Sequence, residues 1–146
     1  MAFSRHFLVL GFCSLLAFSA GAPGQDKKPY DGPACSRPVD DFFTKEVWAK
    51  VGAVRCLQCH KQGGDAEESK LILQDPSKAQ GHAQDKALQH NRDALARLAR
   101  VKAGDQSRLL VKVTGGLNHG GEDVLPPDSK GYAILAEFVR RVNAPP

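Results

Sequence analysis

The chain has 146 residues, enough for one compact domain, and its 42% hydrophobic and 25% charged residues are ordinary for a globular protein. Its formal charge of +4 is dispersed, because no run of Lys and Arg exceeds two residues, and only 7% of the residues are aromatic. This composition lacks the basic stripe and the base-stacking aromatics of a nucleic-acid-binding protein, and it argues against that class of function.

Residues 1–22 have the pattern of a secretory signal peptide. Arg5 and His6 precede the apolar run 7–19, which is short for a bilayer span, and the small residues 20–22 follow as an A-x-A-like cleavage site. An uncleaved membrane anchor is the open alternative. Cleavage predicts an exported protein, periplasmic or otherwise extracytoplasmic, outside the reducing cytosol.

Residues 23–39 are rich in Pro, Gly and charge, which predicts a flexible linker before a folded domain over 40–146. The domain is expected to begin with a helix that Asp40 or Asp41 caps and that ends near Cys56. Its apolar residues recur at α-helical spacing, at Phe43, Val47, Val51 and Val54.

Two more helices are predicted further along the chain. One covers about 85–101, with Leu88, Leu95 and Leu98 on one stripe, and the last starts at Asp128 or Ser129 and ends before Asn143. Residues 107–113 fit either a short helix or a strand. The fold class is therefore expected to be all-α, with a core that is marginal without an additional stabilising group. Candidates for core or pocket packing are Leu57, Val113, Leu117, Val124, Leu125, Tyr132, Leu135 and Phe138.

A Cys-x-x-Cys-His motif joins Cys56, Cys59 and His60. Positions three apart share one face of a helical turn, so both thiols can point at one object and the imidazole at its centre. This arrangement is typical of covalent haem, with two thioether bonds at the porphyrin edge and a histidine on the iron. Chance would place the string in only about 0.4% of chains of this composition, so it predicts one haem c with His60 as the proximal iron ligand.

Other interpretations of the motif have less support from the rest of the chain. A zinc site needs four ligands, and neither a second Cys-x-x-Cys nor a closely spaced His pair is present. A thioredoxin-like redox pair needs a βαβ setting, whereas this motif ends a predicted helix. A structural disulfide is the third alternative, and Cys35, in the linker, has no predicted role.

The residue on the opposite face of the iron is less certain from spacing. Met1 is the only methionine and leaves with the signal peptide, so His82, His90 and His119 are the candidates. His82 and His90 have the setting of polar surface residues. His119 lies among glycines, which let the backbone approach a flat ligand closely, although a loop histidine is also commonly plain surface.

Several short motifs together carry a family resemblance. They are Val47-Trp48, Cys56-Leu57-x-Cys59-His60, Gly63-Gly64, Ser107-x-Leu109-Leu110, Lys112-Val113-Thr114-Gly115, His119-Gly120-Gly121 and Ser129-x-x-Tyr132-x-x-Leu135. With these motifs, over about residues 42–143, the chain resembles planctomycete-type cytochrome c domains. The resemblance implies a class I cytochrome c-like fold and His119 as the sixth iron ligand, and it implies no substrate.

These observations predict an electron carrier rather than an enzyme: an exported monohaem c-type cytochrome that passes single electrons between redox partner proteins. A haem-based sensor or ligand-binding module with an open or labile iron site is the alternative. Peroxidase activity has little support, since no distal acid–base set is evident. Arg55, Lys61 and Lys112 are candidates for steering acidic redox partners, with ordinary surface charge as the competing interpretation.

Overall fold

The computed structural model describes residues 39–145, of which 54% are helical and 6% are in strands or bridges. Four helices within this range confirm the expected helical fold class. The predicted signal peptide, Cys35 and nearly all of the predicted linker lie outside the described residues. No helix within 39–145 is long and apolar enough to cross a membrane.

The elements follow one another along the chain with short connections. In order they are a π-helix Phe43–Cys56, a 3₁₀ turn Pro76–Lys78, helix α1 His82–Arg100, strands β1 Lys102–Ala103 and β2 Gln106–Ser107, helix α2 Arg108–Val113 and helix α3 Lys130–Asn143. The two strands form a small antiparallel hairpin that leads directly into α2. The ambiguous segment 107–113 is thus the last strand residue followed by a helix.

The first helix differs from the α-helix expected from the spacing of its apolar residues. Asp40 does cap it, since its Oδ1 accepts a hydrogen bond from the Phe43 N–H at 2.9 Å. At its other end the Leu57 N–H donates to the carbonyl of Gly52, five residues back, at 2.9 Å. This wider winding changes which side chains face the core.

Burial along the π-helix recurs about every 4.3 residues rather than every 3.6. The buried positions are Phe43, Val47, Trp48, Val51, Gly52 and Cys56. The expectation that Val54 belongs to the apolar stripe is wrong, because Val54 is 48% exposed. The wider turn rotates Val54 outward and brings Cys56 onto the buried face.

The core lies between the π-helix, α1 and α3. Phe43 is fully buried and its ring meets that of Phe138, with centroids 5.7 Å apart at a tilt of 49°. Leu95 of α1 and Leu135 of α3 are each 1% exposed. The three helices thus share one apolar interior, which holds the Cys56 end of the π-helix in place.

The later helices follow the sequence patterns closely. Ser129 caps α3, since its Oγ accepts a hydrogen bond from the Tyr132 N–H at 3.1 Å, and the helix runs through Asn143. Helix α1 begins at His82, three residues before the expected start. Most of the expected core residues are buried or half-buried: Leu57, Val113, Val124, Leu125, Tyr132, Leu135 and Phe138. Leu117 is the exception at 45% exposed, because its left-handed backbone, with φ of 57°, lies in a surface loop.

Candidate functional site

The Cys-x-x-Cys-His motif lies where the π-helix ends. Cys56 is the last residue of the helix and is buried, while Cys59 is half-buried in the following turn. The His60 N–H donates to the Cys56 carbonyl at 2.9 Å, which continues the turn by one residue. Gly64 lies so close to the Cys59 carbonyl that a Cβ on it would clash, so a glycine is needed where the chain folds back.

The two thiols have a setting unlike that of a reactive redox pair. Burial, with a smaller contribution from the neighbouring Cys59, raises the pKa of Cys56 to about 11. Cys56 is therefore a protonated thiol at neutral pH. A thioredoxin-like nucleophile instead has a depressed pKa at a helix N-terminus, so the structure argues against that interpretation of the motif.

The His60 ring is held at one nitrogen by the segment that follows the motif. Its Nδ1 lies 3.1 Å from the Leu71 carbonyl oxygen and 3.1 Å from Ser69 Oγ. A carbonyl oxygen only accepts, so Nδ1 carries the proton in this bond and Nε2 keeps its lone pair. A metal-ligating histidine is commonly oriented by such a bond from its other nitrogen.

The protonation state of His60 also suits a ligand. Burial lowers the pKa of His60, the hydrogen bond to the Leu71 carbonyl opposes that effect, and the charges of His119 and Lys112 lower the pKa further. The neutral imidazole, which is the form that binds metals, is therefore favoured at neutral pH.

Helix α1 holds in place residues 69–74, the segment whose Ser69 and Leu71 contact the His60 ring. Asn91, fully buried, accepts from the Gln74 N–H at 2.8 Å and donates to the Gln74 carbonyl at 2.7 Å. His90 places Nε2 2.8 Å from the Ile72 carbonyl. His90 is therefore a structural tie between α1 and this segment, and His82 lies exposed at the start of α1.

His119 projects from a closed loop, residues 114–123, that we call the distal loop. Thr114 and Asp123 form an antiparallel bridge at its base, and the Gly116 N–H donates to the Val111 carbonyl at 2.9 Å. A Cβ on Gly116 would lie 2.5 Å from Val111 Cγ1, so this close approach requires glycine. His119 Nδ1 lies 3.3 Å from the Glu122 carbonyl, which again leaves Nε2 as the nitrogen with a lone pair.

The structure brings the two histidines together. The ring centroids of His60 and His119 are 6.0 Å apart and the ring planes differ by 9°. Two metal–nitrogen bonds of about 2 Å, with roughly 1.1 Å from each Nε2 to its ring centre, would separate the centroids by about 6.2 Å. The observed centroid spacing is close to this value, and each ring has its Nδ1 beside a backbone carbonyl.

The same neighbourhood does not fit zinc. Among residues 39–145, no group of three or more His, Cys, Asp or Glu side chains is arranged to hold a metal ion. A structural zinc site needs four protein ligands. A histidine pair does fit haem iron, because the porphyrin supplies the other ligands of the metal.

Comparison of the chain with known protein families, with curated proteins and with solved structures finds no match. The candidate site therefore rests on the residues and on their geometry.

Three contributors to this site are not predicted from the sequence. They are the Leu71 carbonyl oxygen, the Ser69 hydroxyl and the hydrogen bond that the Lys112 side chain makes to the loop. Backbone acceptors leave no signal in a sequence, because every residue has a carbonyl. The sequence offers Lys112 for partner steering or as ordinary surface charge; in the structure the residue is half-buried, and its Nζ donates to the Leu117 carbonyl at 2.8 Å. Arg55 and Lys61 are exposed near the motif, as a steering role requires.

Proposed function

We propose that the protein is an exported monohaem c-type cytochrome, with a class I cytochrome c-like fold, that carries single electrons between redox partner proteins. The observation that carries the proposal is the parallel pair His60 and His119, with ring centroids 6.0 Å apart, directly beside Cys56 and Cys59. Four helices around a shared core support the fold assignment only at the level of its helical class.

Each residue of the site has one task in this proposal. Cys56 and Cys59 would hold the haem through thioether bonds, and His60 and His119 would ligate its iron. Bound haem c supplies the Fe(III)/Fe(II) couple through which one electron at a time enters and leaves. The buried Cys56 sulfur and the core behind it would keep water from one edge of the porphyrin.

The ligand set predicts the direction of the reduction potential. Histidine at both axial positions gives a lower potential than a His/Met pair, because Met raises it. The carbonyl acceptors on both Nδ1 atoms increase the basicity of the imidazoles, and this stabilises the oxidised iron further. Exposed Arg55 and Lys61 beside the motif favour partners with an acidic surface.

A haem-based sensor or ligand-binding module is the second candidate. The observation in its favour is that His119 sits on an exposed loop and has a single ring hydrogen bond of 3.3 Å among the described residues, whereas His60 has two of 3.1 Å. An electron carrier keeps both ligands on the iron, while a sensor exchanges the distal one.

A redox-titrated absorption spectrum of protein made with c-type haem maturation machinery tests the proposal. We expect a six-coordinate low-spin haem in both oxidation states, reversible one-electron behaviour and a potential below that of His/Met cytochromes. A five-coordinate or high-spin haem would favour the sensor. Protein that takes up no haem under these conditions would contradict both functions.

A further inference from the structure

The two histidines differ in how firmly the protein holds them. Both rings are half-buried, but His60 Nδ1 meets both Ser69 Oγ and the Leu71 carbonyl, on a segment that α1 ties down through Asn91. His119 has one longer bond, to Glu122, which belongs to the same exposed loop. If one ligand leaves the iron, it is therefore His119.

The tip of the distal loop, residues 117–121, has few ties to the rest of the fold. Its base is closed by the Thr114–Asp123 bridge, but among the described residues a single hydrogen bond joins the tip to a helix. That bond runs from Lys112 Nζ, at the end of α2, to the Leu117 carbonyl at 2.8 Å. Through this bond a side chain of α2 reaches the tip.

The backbone of the tip needs such a restraint. Leu117 has φ of 57°, in the left-handed region that is unfavourable for an apolar side chain, whereas Asn118, with φ of 52°, is of a residue type that adopts this region readily. The side chain of Leu117 is 45% exposed and adds little packing to keep the loop in this conformation. The bond from the Lys112 ammonium group is charge-assisted and lies at an exposed position, so we expect its loss to loosen the tip.

We propose that Lys112 is the positioning residue for the distal ligand: its bond to the Leu117 carbonyl keeps His119 opposite His60, and its release lets a small neutral diatomic ligand replace His119. This inference rests on the proposed function, because the exchange requires iron between the two rings. With haem bound, His119 would give up its place on the iron to the incoming ligand, with no transfer of electrons or protons.

The size of the ring that would leave indicates the class of ligand. Departure of the His119 imidazole would open room for a molecule of only a few atoms. Gly120, next to the histidine, has open space on its side-chain face, which leaves room for the loop tip to move. Carbon monoxide, a neutral diatomic that binds ferrous haem, is the appropriate probe.

The test compares Lys112→Met with Lys112→Arg and with Lys102→Met, a control at an exposed lysine in β1. The dithionite-reduced holoproteins are mixed with carbon monoxide in a stopped-flow spectrometer. We expect slow binding in the wild type and the control, at a rate independent of ligand concentration because His119 must leave first. Lys112→Met should bind at least tenfold faster, and Lys112→Arg, which retains a charged donor, should lie nearer the wild type.

Hydrogen exchange gives a second readout that needs no haem chemistry. In the proteins as isolated, amides of residues 117–122 should exchange at least fivefold faster in Lys112→Met than in Lys102→Met. Equal carbon monoxide rates or equal exchange in these two variants, with low-spin haem present, would overturn the role of Lys112 and leave the cytochrome proposal standing. Absence of bound haem would overturn the cytochrome proposal and the ligand exchange together.

Discussion

The imidazole of His60 lies parallel to that of His119, to within 9°, and the two ring centroids are 6.0 Å apart. Each ring has its Nδ1 next to a backbone carbonyl, of Leu71 and of Glu122 respectively. Both rings are thereby set in the tautomer that leaves Nε2 to bind a metal. Two residues far apart in the sequence thus lie close together, and in the proposed cytochrome they would form one axis through the iron.

Replacing His119 by alanine tests this axis. We expect His119→Ala to convert a low-spin haem spectrum to a high-spin one, because the sixth ligand is lost while His60 and the thioethers remain. The measurement is the absorption spectrum of the oxidised and reduced protein. His82→Ala is the matched control, since His82 is exposed at the start of α1, and its spectrum should not change. A low-spin spectrum in His119→Ala would exclude His119 as the ligand.

In the proposed cytochrome, covalent haem attachment would depend on the two thiols of the motif. Cys56→Ser combined with Cys59→Ser should leave no haem in the protein after acid-acetone extraction, because a hydroxyl cannot form the thioether. Haem is measured by its absorbance in the protein pellet and in the extract. Cys35→Ser, which changes a cysteine outside the motif, should retain all of its haem. Haem that stays with the double variant would disprove thioether attachment.

Because of the winding of the first helix, truncating Val51 and truncating Val54 should lower the free energy of unfolding by different amounts. Val51→Ala should lower the free energy of unfolding by about 2 kcal/mol, since Val51 is fully buried and its loss leaves a cavity. Val54→Ala should change it by no more than about 0.5 kcal/mol, because Val54 is 48% exposed. Urea unfolding of both variants measures the difference. An equal loss of unfolding free energy in the two variants would indicate that the helix is wound as an α-helix, with Val54 packed against the core.

The Asn91 side chain holds residues 71–74, which follow the His60 motif, against α1. Removing it should lower the free energy of unfolding. Asn91→Ala leaves the Gln74 N–H and carbonyl without their buried partner, which should destabilise the protein by about 2–4 kcal/mol. The measurement is again urea unfolding, with Gln80→Ala, at an exposed position, as the control. A decrease in unfolding free energy of less than about 0.5 kcal/mol would mean that solvent or another group replaces the two hydrogen bonds to Gln74.

The two thiols of haem-free protein should differ in reactivity. Burial raises the pKa of Cys56 to about 11, so only about a thousandth of it is thiolate at pH 8. Cys59 is half-buried and more accessible. We expect iodoacetamide to alkylate Cys59 at least tenfold faster than Cys56 under reducing conditions, as measured by tandem mass spectrometry. Labelling of Cys56 should accelerate as the pH rises toward 11, and equal rates at pH 8 would contradict its burial.

Much of the helical architecture was predictable because the signals are local. Asp40 and Ser129 cap helices through contacts within three residues, and the leucines of α1 follow a regular stripe. The π-helix was not predictable in this way. The spacing of Phe43, Val47 and Val51 fits either winding, and only packing against α1 and α3 decides that Cys56 rather than Val54 turns inward.

By itself the sequence determined the cluster of Cys56, Cys59 and His60, since neighbours in a chain remain neighbours in any fold. It also singled out His119, from its glycine setting and from the family resemblance, ahead of His82 and His90. Tertiary structure alone placed the three side chains: it left His82 exposed, set His90 against a backbone carbonyl, and brought the His119 ring parallel to that of His60. The physical reason is that a contact between distant residues depends on how helices and loops pack, and hydrogen bonds to backbone carbonyls, which orient both rings, leave no trace in the sequence.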